Sequence, residues 1–342
     1  MIDKRAVPIR DNKMILIFPR GRWANPAALM IACFAILSMG CEGQKKPAAF
    51  STPKPPAPLK NKVVVVSYPL QFLTSQVVGD EVEVLFPAGD AEADARSWRP
   101  DRESIGQMQA ADLIIANGTP APYAKWLDRV SLPESKVLNT ATKGMLLRDY
   151  ISVEDVTVTH AHGPEGEHSH AMMVSRTWLD PAMAKKQISF VTEKLISIYP
   201  ASSDMLSENL NSLTAKLDEL VTLAEEIKTQ GPPAVLTATP ELKYLTRAVG
   251  MADYHMAWDG ELTIDLAEKD LDKILKQFDE KSRPKIMLFA DQGPSSEIRE
   301  ILDTHEIQVE TMAMSDGRPA FGNYLTELRG NLEKLAALAN SK

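Results

Sequence analysis

Cysteine is nearly absent from this chain, and both copies, Cys33 and Cys41, fall within its first 41 residues. If processing removes residues 1–40, Cys41 is the one cysteine left, and a chain with one cysteine can form no internal disulfide. The folded part must then be stabilised by packing alone, and it contains no cysteine that could act as a nucleophile.

Motifs of the common enzyme classes are missing as well. The chain has no Gly-rich phosphate loop, no G-x-S-x-G elbow and no H-E-x-x-H zinc motif. Asp94, Asp101 and Glu103 lie close together, and a carboxylate pair beside a cleft can act as acid and base. However, most carboxylates in a chain with 46 acidic residues are solvated surface groups. We therefore expect a binding protein and not an enzyme.

The N-terminal apolar run, AALMIACFAILSMG (27–40), has 14 residues, fewer than the roughly 20 needed to span a bilayer. Six basic and two acidic residues give the first 40 residues a charge of +4. A basic segment followed by a short apolar run is typical of an export signal. The sequence predicts that residues 1–40 are a cleaved signal peptide and that the protein is exported.

The sequence LSMGC (37–41) resembles a bacterial lipoprotein signal, in which a small residue precedes the cysteine that is lipidated. Leu37 lies one place further from the cysteine than in the usual pattern. We expect a lipid anchor on Cys41 in the bacterial cell envelope, with a plain signal peptide or an uncleaved anchor as alternatives. Residues 41–61 are rich in proline, which predicts an extended tether.

Excess positive charge is also lacking beyond the signal. Without the first 40 residues the net charge changes from −8 to −12. This charge is a poor match for nucleic acid or anionic lipid, so we expect no nucleic-acid partner and membrane attachment only through the anchor.

After the tether, apolar runs typical of strands alternate with helical segments in two sets. The first set has strands at 63–68, 81–87 and 112–118, with helices at 70–78 and 101–111. The second has strands at 234–239, 285–290 and 308–314, with helices at 240–249, 295–305 and 321–340. This alternation predicts an α/β fold with two similar lobes, 62–175 and 233–342, each a parallel sheet covered by helices.

Residues 176–232, between the lobes, contain the clearest helical periodicity. Apolar residues recur at steps of four and three: Leu206, Leu210, Leu213, Leu217, Leu220, Ala224 and Ile227. A helix of at least 22 residues, about 33 Å long, is predicted. A coiled coil is one interpretation; the other is a single rigid spine helix that lies against both lobes and resists bending between them.

Four stretches support a family resemblance: VVVVSYPLQFLTSQVVGDEVEV, SWRPDRESIGQMQAADLIIANG, WLDPAMAKK and ELKYLTRAVGM. They resemble segments of the zinc and manganese substrate-binding proteins of bacterial ABC transporters. The resemblance implies a monomeric, extracytoplasmic metal-binding lipoprotein, facing the periplasm or exterior, that delivers its ion to a permease and its ATPase. No cofactor is implied apart from the transported zinc or other divalent metal.

The family's ligand positions hold other residue types in this chain. The resemblance places Arg96 and Arg176 where the family has its first two histidines, Thr239 at the third ligand, and Met312 on or beside the final aspartate. Zinc and manganese need imidazole nitrogens and carboxylate oxygens, whereas an arginine stays protonated and offers only donors. We therefore expect a degenerate principal site that does not bind a bare cation.

Two alternatives to metal delivery remain open. Arg96 and Arg176 together suit an oxyanion or carboxylate ligand, unless they pair with local acids such as Asp94, Asp180 or Asp265. The chain could also be an adhesin or scaffold lipoprotein that keeps the fold and has lost the transported ion.

A histidine-rich loop, HAHGPEGEHSH (160–170), precedes the WLDPAMAKK stretch and holds His160, His162, His168 and His170. Its two His-x-His pairs can chelate zinc or copper, and its glycines predict a flexible loop, so binding would be weakened by the cost of ordering it. The alternative is a solvated loop inherited from metal-binding relatives.

Overall fold

The structure is a computed structural model that describes residues 61–90, 98–118, 127, 130–141, 152–153, 160–161, 167–168, 172–256, 258 and 262–340. The predicted signal peptide, the lipidated Cys41 and nearly all of the tether lie outside the described residues. Residues 57–342 form one compact unit. Within the described part of the chain, no helix has the length and apolar character needed to cross a membrane.

The first lobe is built on a parallel sheet with the strand order β2-β1-β3-β4. Its strands are β1 (Asn61–Val65), β2 (Val82–Leu85), β3 (Leu113–Ala116) and β4 (Val137–Asn139). Its helices are α1 (Tyr68–Val78) and α2 (Arg102–Ala110). Two short antiparallel pairs follow, β5 (Ser152–Val153) with β8 (Met172–Met173), and β6 (His160–Ala161) with β7 (Glu167–His168).

Two long helices lead to the second lobe, α3 (Pro181–Ile198) and α4 (Ser203–Thr229). The second sheet contains β9 (Val235–Thr237), β10 (Asp253–His255), β11 (Ile286–Ala290) and β12 (Gln308–Met312). Its helices are α5 (Lys243–Ala248), α6 (Ile264–Leu275), α7 (Ser296–Thr304) and α8 (Tyr324–Asn340).

The two sheets have the same topology. The second sheet is parallel and has the order β10-β9-β11-β12, which repeats the order of the first sheet when strands are counted from the start of each lobe. The prediction of two similar α/β lobes is confirmed. Strands β4 and β10 and helix α6 were not predicted. The three residues of β10, Asp253, Tyr254 and His255, are all partly exposed and form no apolar run.

Helix α4 is the predicted spine. It has 27 residues, about 40 Å at 1.5 Å per residue, and it contacts α1 of the first lobe, α3, and α5 and α8 of the second lobe. Six of the seven predicted apolar positions are buried, and Leu210 is partly buried against the same core. Helices of the same chain therefore cover the apolar stripe, as the spine-helix interpretation expected.

One apolar core runs through both lobes. It includes the strand residues Val63 and Ile114 of the first sheet, Leu217 of α4, and Val235 and Leu288 of the second sheet. A second, smaller core lies within the second lobe, against α6 and α7. Because α4 contributes to the shared core along most of its length, the two lobes are joined by continuous packing.

Leu217→Ala is expected to lower the free energy of unfolding by about 2–5 kcal/mol, since the fully buried side chain leaves a cavity in the shared core. Urea denaturation of the purified chain measures this loss. Glu208→Ala, on the exposed face of α4, is the control and should change stability by less than about 0.5 kcal/mol. Equal losses in the two variants would contradict the proposed role of the spine.

Candidate functional site

The candidate site lies where the carboxyl ends of the parallel strands of both lobes face the segment that leads into α3. In open α/β sheets, ligands bind beyond these strand ends, beside the point where the strand order reverses. Asn117 follows β3 in the first lobe, Glu241 follows β9, and Asp316 follows β12. Residues 175–180 form the connecting segment between them.

Polar side chains fix this segment to the first lobe. The side-chain amide of Asn117 donates to the Ser175 carbonyl oxygen at 2.5 Å, and its oxygen accepts from the Thr177 hydroxyl at 3.1 Å. Gln187 of α3 donates to the same Asn117 oxygen at 2.7 Å and to the Thr140 hydroxyl at 2.9 Å. All five residues are buried, so their hydrogen bonds have little competition from water.

The same segment is held to the second lobe by two aromatic residues. Trp178 donates from its indole Nε1 to the Met314 carbonyl oxygen at 3.0 Å. The hydroxyl of Tyr324, in the first turn of α8, donates to the Trp178 carbonyl oxygen at 2.6 Å. Burial raises the pKa of Tyr324 far above its usual range, so its hydroxyl stays protonated and keeps this donor.

Helix α3 begins immediately after the segment, which fixes the direction in which the chain leaves the site. The Asp180 carboxylate caps the helix by accepting from the backbone N–H groups of Ala182 at 2.8 Å and Met183 at 3.3 Å, and Pro181 occupies the first helical position. Burial raises the pKa of Asp180, and these two hydrogen bonds partly offset the increase.

Arg176 lies at the centre of the site, between two carboxylates of the second lobe. Its Nε and Nη2 donate to the two oxygens of Asp316 at 2.9 and 2.6 Å, a bidentate pair. Its Nη1 lies 3.1 Å from Glu241 Oε2. The same oxygen of Glu241 accepts from the backbone N–H and hydroxyl of Ser175, both at 2.9 Å, and from the Arg176 N–H at 3.2 Å.

These three charged side chains are largely shielded from water. The exposed fractions are 5% for Arg176, 14% for Glu241 and 22% for Asp316. A further carboxylate lies nearby on α8: burial raises the pKa of Glu327, and the neighbouring Asp291 and Asp316 add to this increase. The surroundings of the guanidinium group are therefore rich in negative charge.

The structure places three of the four positions that the resemblance assigned to ligands. Arg176 is paired as described, Thr239 is buried and accepts from the Glu241 N–H at 3.4 Å, and Met312 ends β12 with its side chain in the shared core. Arg96 lies outside the described residues. Met312 therefore contributes apolar packing. The next carboxylate along the chain, that of Asp316, accepts hydrogen bonds from the Arg176 guanidinium group.

Glu241 and Asp316 are not the acids that were expected as partners of Arg176, which were Asp94, Asp180 and Asp265. Asp180 caps α3, Asp265 is exposed in the first turn of α6, and Asp94 lies outside the described residues. Arg176 thus pairs with acids, as one of the two alternatives expected, and the partners include Glu241 and Asp316. Glu241 stood inside the family-like stretch ELKYLTRAVGM, and a search of that stretch for charges could have found it.

The histidine loop is described only in part. The backbones of β6 and β7 pair in antiparallel register, with His160 opposite His168 and Ala161 opposite Glu167. His162 and His170 lie outside the described residues. Elsewhere in the described part of the chain, no three His, Cys, Asp or Glu side chains form a group that could hold a metal ion.

Arg176→Ala is expected to lower the free energy of unfolding by about 3–5 kcal/mol, because it leaves two poorly solvated carboxylates without their shared cation. Thermal and urea denaturation measure this loss. The control is Lys185→Ala, which removes an exposed ion pair with Asp218 and should cost less than about 1 kcal/mol. A loss for Arg176→Ala as small as that of the control would contradict a structural role for the buried ion pairs.

Solved structures of other proteins have a similar fold. The zinc-bound ZnuA-like domain of Streptococcus pneumoniae AdcA is similar with a TM-score of 0.63 and 18% identity, over 82% of this chain and all of that one. The laminin-binding protein Lbp of Streptococcus pyogenes is similar with a TM-score of 0.59 and 17% identity, over 82% of this chain and 99% of that one.

Comparison of sequences identifies the family. The high-affinity zinc uptake system protein ZnuA of Bacillus subtilis is 27% identical over 208 residues, which are 56% of this chain and 57% of that protein. The match thus spans less than two thirds of that relative. The family described as zinc-uptake complex component A, periplasmic, matches residues 63–338. The chain therefore belongs to this family of metal-binding solute-binding proteins of ABC transporters, which are transport proteins and not enzymes.

Proposed function

We propose that the chain is an extracytoplasmic lipoprotein that works with an ABC permease and its ATPase in zinc or manganese transport, with a degenerate principal site. In this proposal residues 1–40 are the signal peptide, Cys41 carries the lipid and residues 41–61 form the tether. Residues 62–175 and 233–342 are the lobes, joined by the helices of 176–232. Metal binding is assigned to the histidine loop, His160, His162, His168 and His170.

The observation that carries the proposal is the position of Arg176. It stands at a ligand position of the family, and its guanidinium group is engaged by Glu241 and Asp316. A divalent cation at this point would meet a fixed positive charge and no free imidazole from residue 176. The replaced residues Thr239 and Met312 supply a capping hydroxyl and an apolar side chain, which are poor substitutes for histidine and aspartate.

An anionic small molecule is a weaker candidate for the cleft. Arg176 suits a carboxylate or phosphate in isolation, but here one guanidinium already serves two carboxylates, which leaves the three groups with a net charge of −1. Glu327 and Asp291 add further negative charge nearby. An anion would therefore have to displace an internal carboxylate that is already within hydrogen-bonding distance.

A role as an adhesin or scaffold is the second candidate. The similar fold of the laminin-binding protein of Streptococcus pyogenes supports the idea that this architecture can serve in binding a macromolecule. Transport and adhesion predict different neighbouring genes. A neighbouring permease and ATPase favour transport, whereas an isolated gene favours adhesion.

Metal content distinguishes loop binding from cleft binding. The chain from residue 42, which retains the compact unit of 57–342, is expected to carry weakly held zinc that is lost on dialysis. Replacing all four loop histidines by alanine should remove the zinc, measured by mass spectrometry and by calorimetry with zinc and manganese. Tight, stoichiometric zinc binding by the four-alanine variant would show that the cleft is a working metal site, contrary to the proposal.

Lipidation depends on a single side chain. Cys41→Ser is expected to move the protein from the membrane fraction to the soluble fraction, because serine cannot form the thioether that carries the lipid. Fractionation of cells that express each form, followed by mass spectrometry of the N terminus, tests this. Cys33→Ser is the matched control and should remain membrane-bound. Membrane retention of Cys41→Ser would instead favour an uncleaved anchor.

A further inference from the structure

The two carboxylates on Arg176 come from separate loops of the second lobe and converge on one point. Glu241 follows β9 and Asp316 follows β12, two strands with β11 between them in the sheet. The Arg176 side chain enters from the segment before α3 and is contacted by both. The guanidinium group thus bridges two carboxylates that would otherwise repel each other at close range.

Glu241 is held in place by more than the guanidinium group. Its Oε2 accepts from the backbone N–H groups of Ser175 and Arg176 and from the Ser175 hydroxyl. These donors remain when the arginine side chain is shortened, because two of them belong to the backbone. The Glu241 carboxylate should therefore keep its position in a variant that lacks the guanidinium group.

The loop that carries Asp316 is also fixed independently of Arg176. The Met314 carbonyl accepts from Trp178, and the Met314 N–H donates to Asp291 at 3.0 Å. The Ser315 hydroxyl donates to Glu327 at 2.7 Å. Asp316 follows these anchors directly, so its backbone should stay near Glu241 without the ion pair.

We infer that the Arg176 guanidinium group is a tethered cation, which joins the two lobes and occupies a carboxylate-pair site for a hard divalent cation. Carboxylate oxygens are ligands that manganese accepts, and Glu241 and Asp316 keep exposed fractions of 14% and 22%. With Arg176 present, the chain supplies the positive charge itself and needs no ion there. The inference rests on the proposed function in one respect: the cleft of the unaltered protein does not bind metal.

The test uses the chain from residue 42 with the four loop histidines replaced by alanine, so that the loop cannot contribute. Arg176→Ala is added to this parent, and manganese chloride is the probe in calorimetry and thermal denaturation. We expect Arg176→Ala to bind one manganese ion at least tenfold more tightly than the parent. Its melting temperature should rise by about 3–6 °C at a manganese concentration about ten times the dissociation constant.

Three further variants separate the cation site from general destabilisation. Arg176→Gln keeps more of the packing and adds an amide oxygen, and it gives the same test if Arg176→Ala does not fold. Adding Asp316→Asn to either variant should abolish the gain in manganese binding. Arg329→Ala removes an arginine from an exposed ion pair with Glu219 and should show no gain.

The outcomes are distinct from those that test the proposed function. If neither Arg176→Ala nor Arg176→Gln binds manganese more tightly than the parent while folded, the tethered-cation inference is overturned and the proposed function stands. A gain that persists with Asp316→Asn also overturns it, because the ion would then bind elsewhere. Tight metal binding by the parent itself would instead contradict the proposed function.

Discussion

The buried pairing of Arg176 with Glu241 and Asp316 is the interaction around which the two lobes are arranged. Each of these charges has lost most of its contact with water, and such groups are stable only when paired and hydrogen-bonded. The neighbouring residues meet this requirement: Ser175 completes the contacts of Glu241, while Asn117, Trp178 and Tyr324 hold the segment to both lobes. The facing ends of the two lobes are thus bridged by the chain's own charges.

The packing around the site supports the same arrangement. Helix α4 contributes to a core that continues from the first sheet to the second, and it contacts helices of both lobes. A hinge motion that opened the cleft would have to separate the ion pairs and disturb this shared core. The chain thus keeps the scaffold of its family, whose model matches residues 63–338, and it brings Arg176, Glu241 and Asp316 together at the facing ends of the two lobes.

The sequence predicted much of the fold and less of the site. The strands 112–118 and 285–290 and the spine helix were recognisable because burial on both faces, or on one helical stripe, leaves a periodic apolar pattern. The edge strand β10 was missed because its residues are polar and partly exposed. At the site, the family-like stretches drew attention to Arg176 and Thr239, but the arginine's partners Glu241 and Asp316 were not predicted.

The sequence by itself determined the two sets of alternating strands and helices and the long apolar stripe of α4, since each of these is a property of local residue order. Only the tertiary structure decided that Glu241 and Asp316 pair with Arg176. These acids lie 65 and 140 residues further along the chain than the arginine. They reach it because parallel strands place their carboxyl ends at one edge of a sheet, where loops distant in sequence meet.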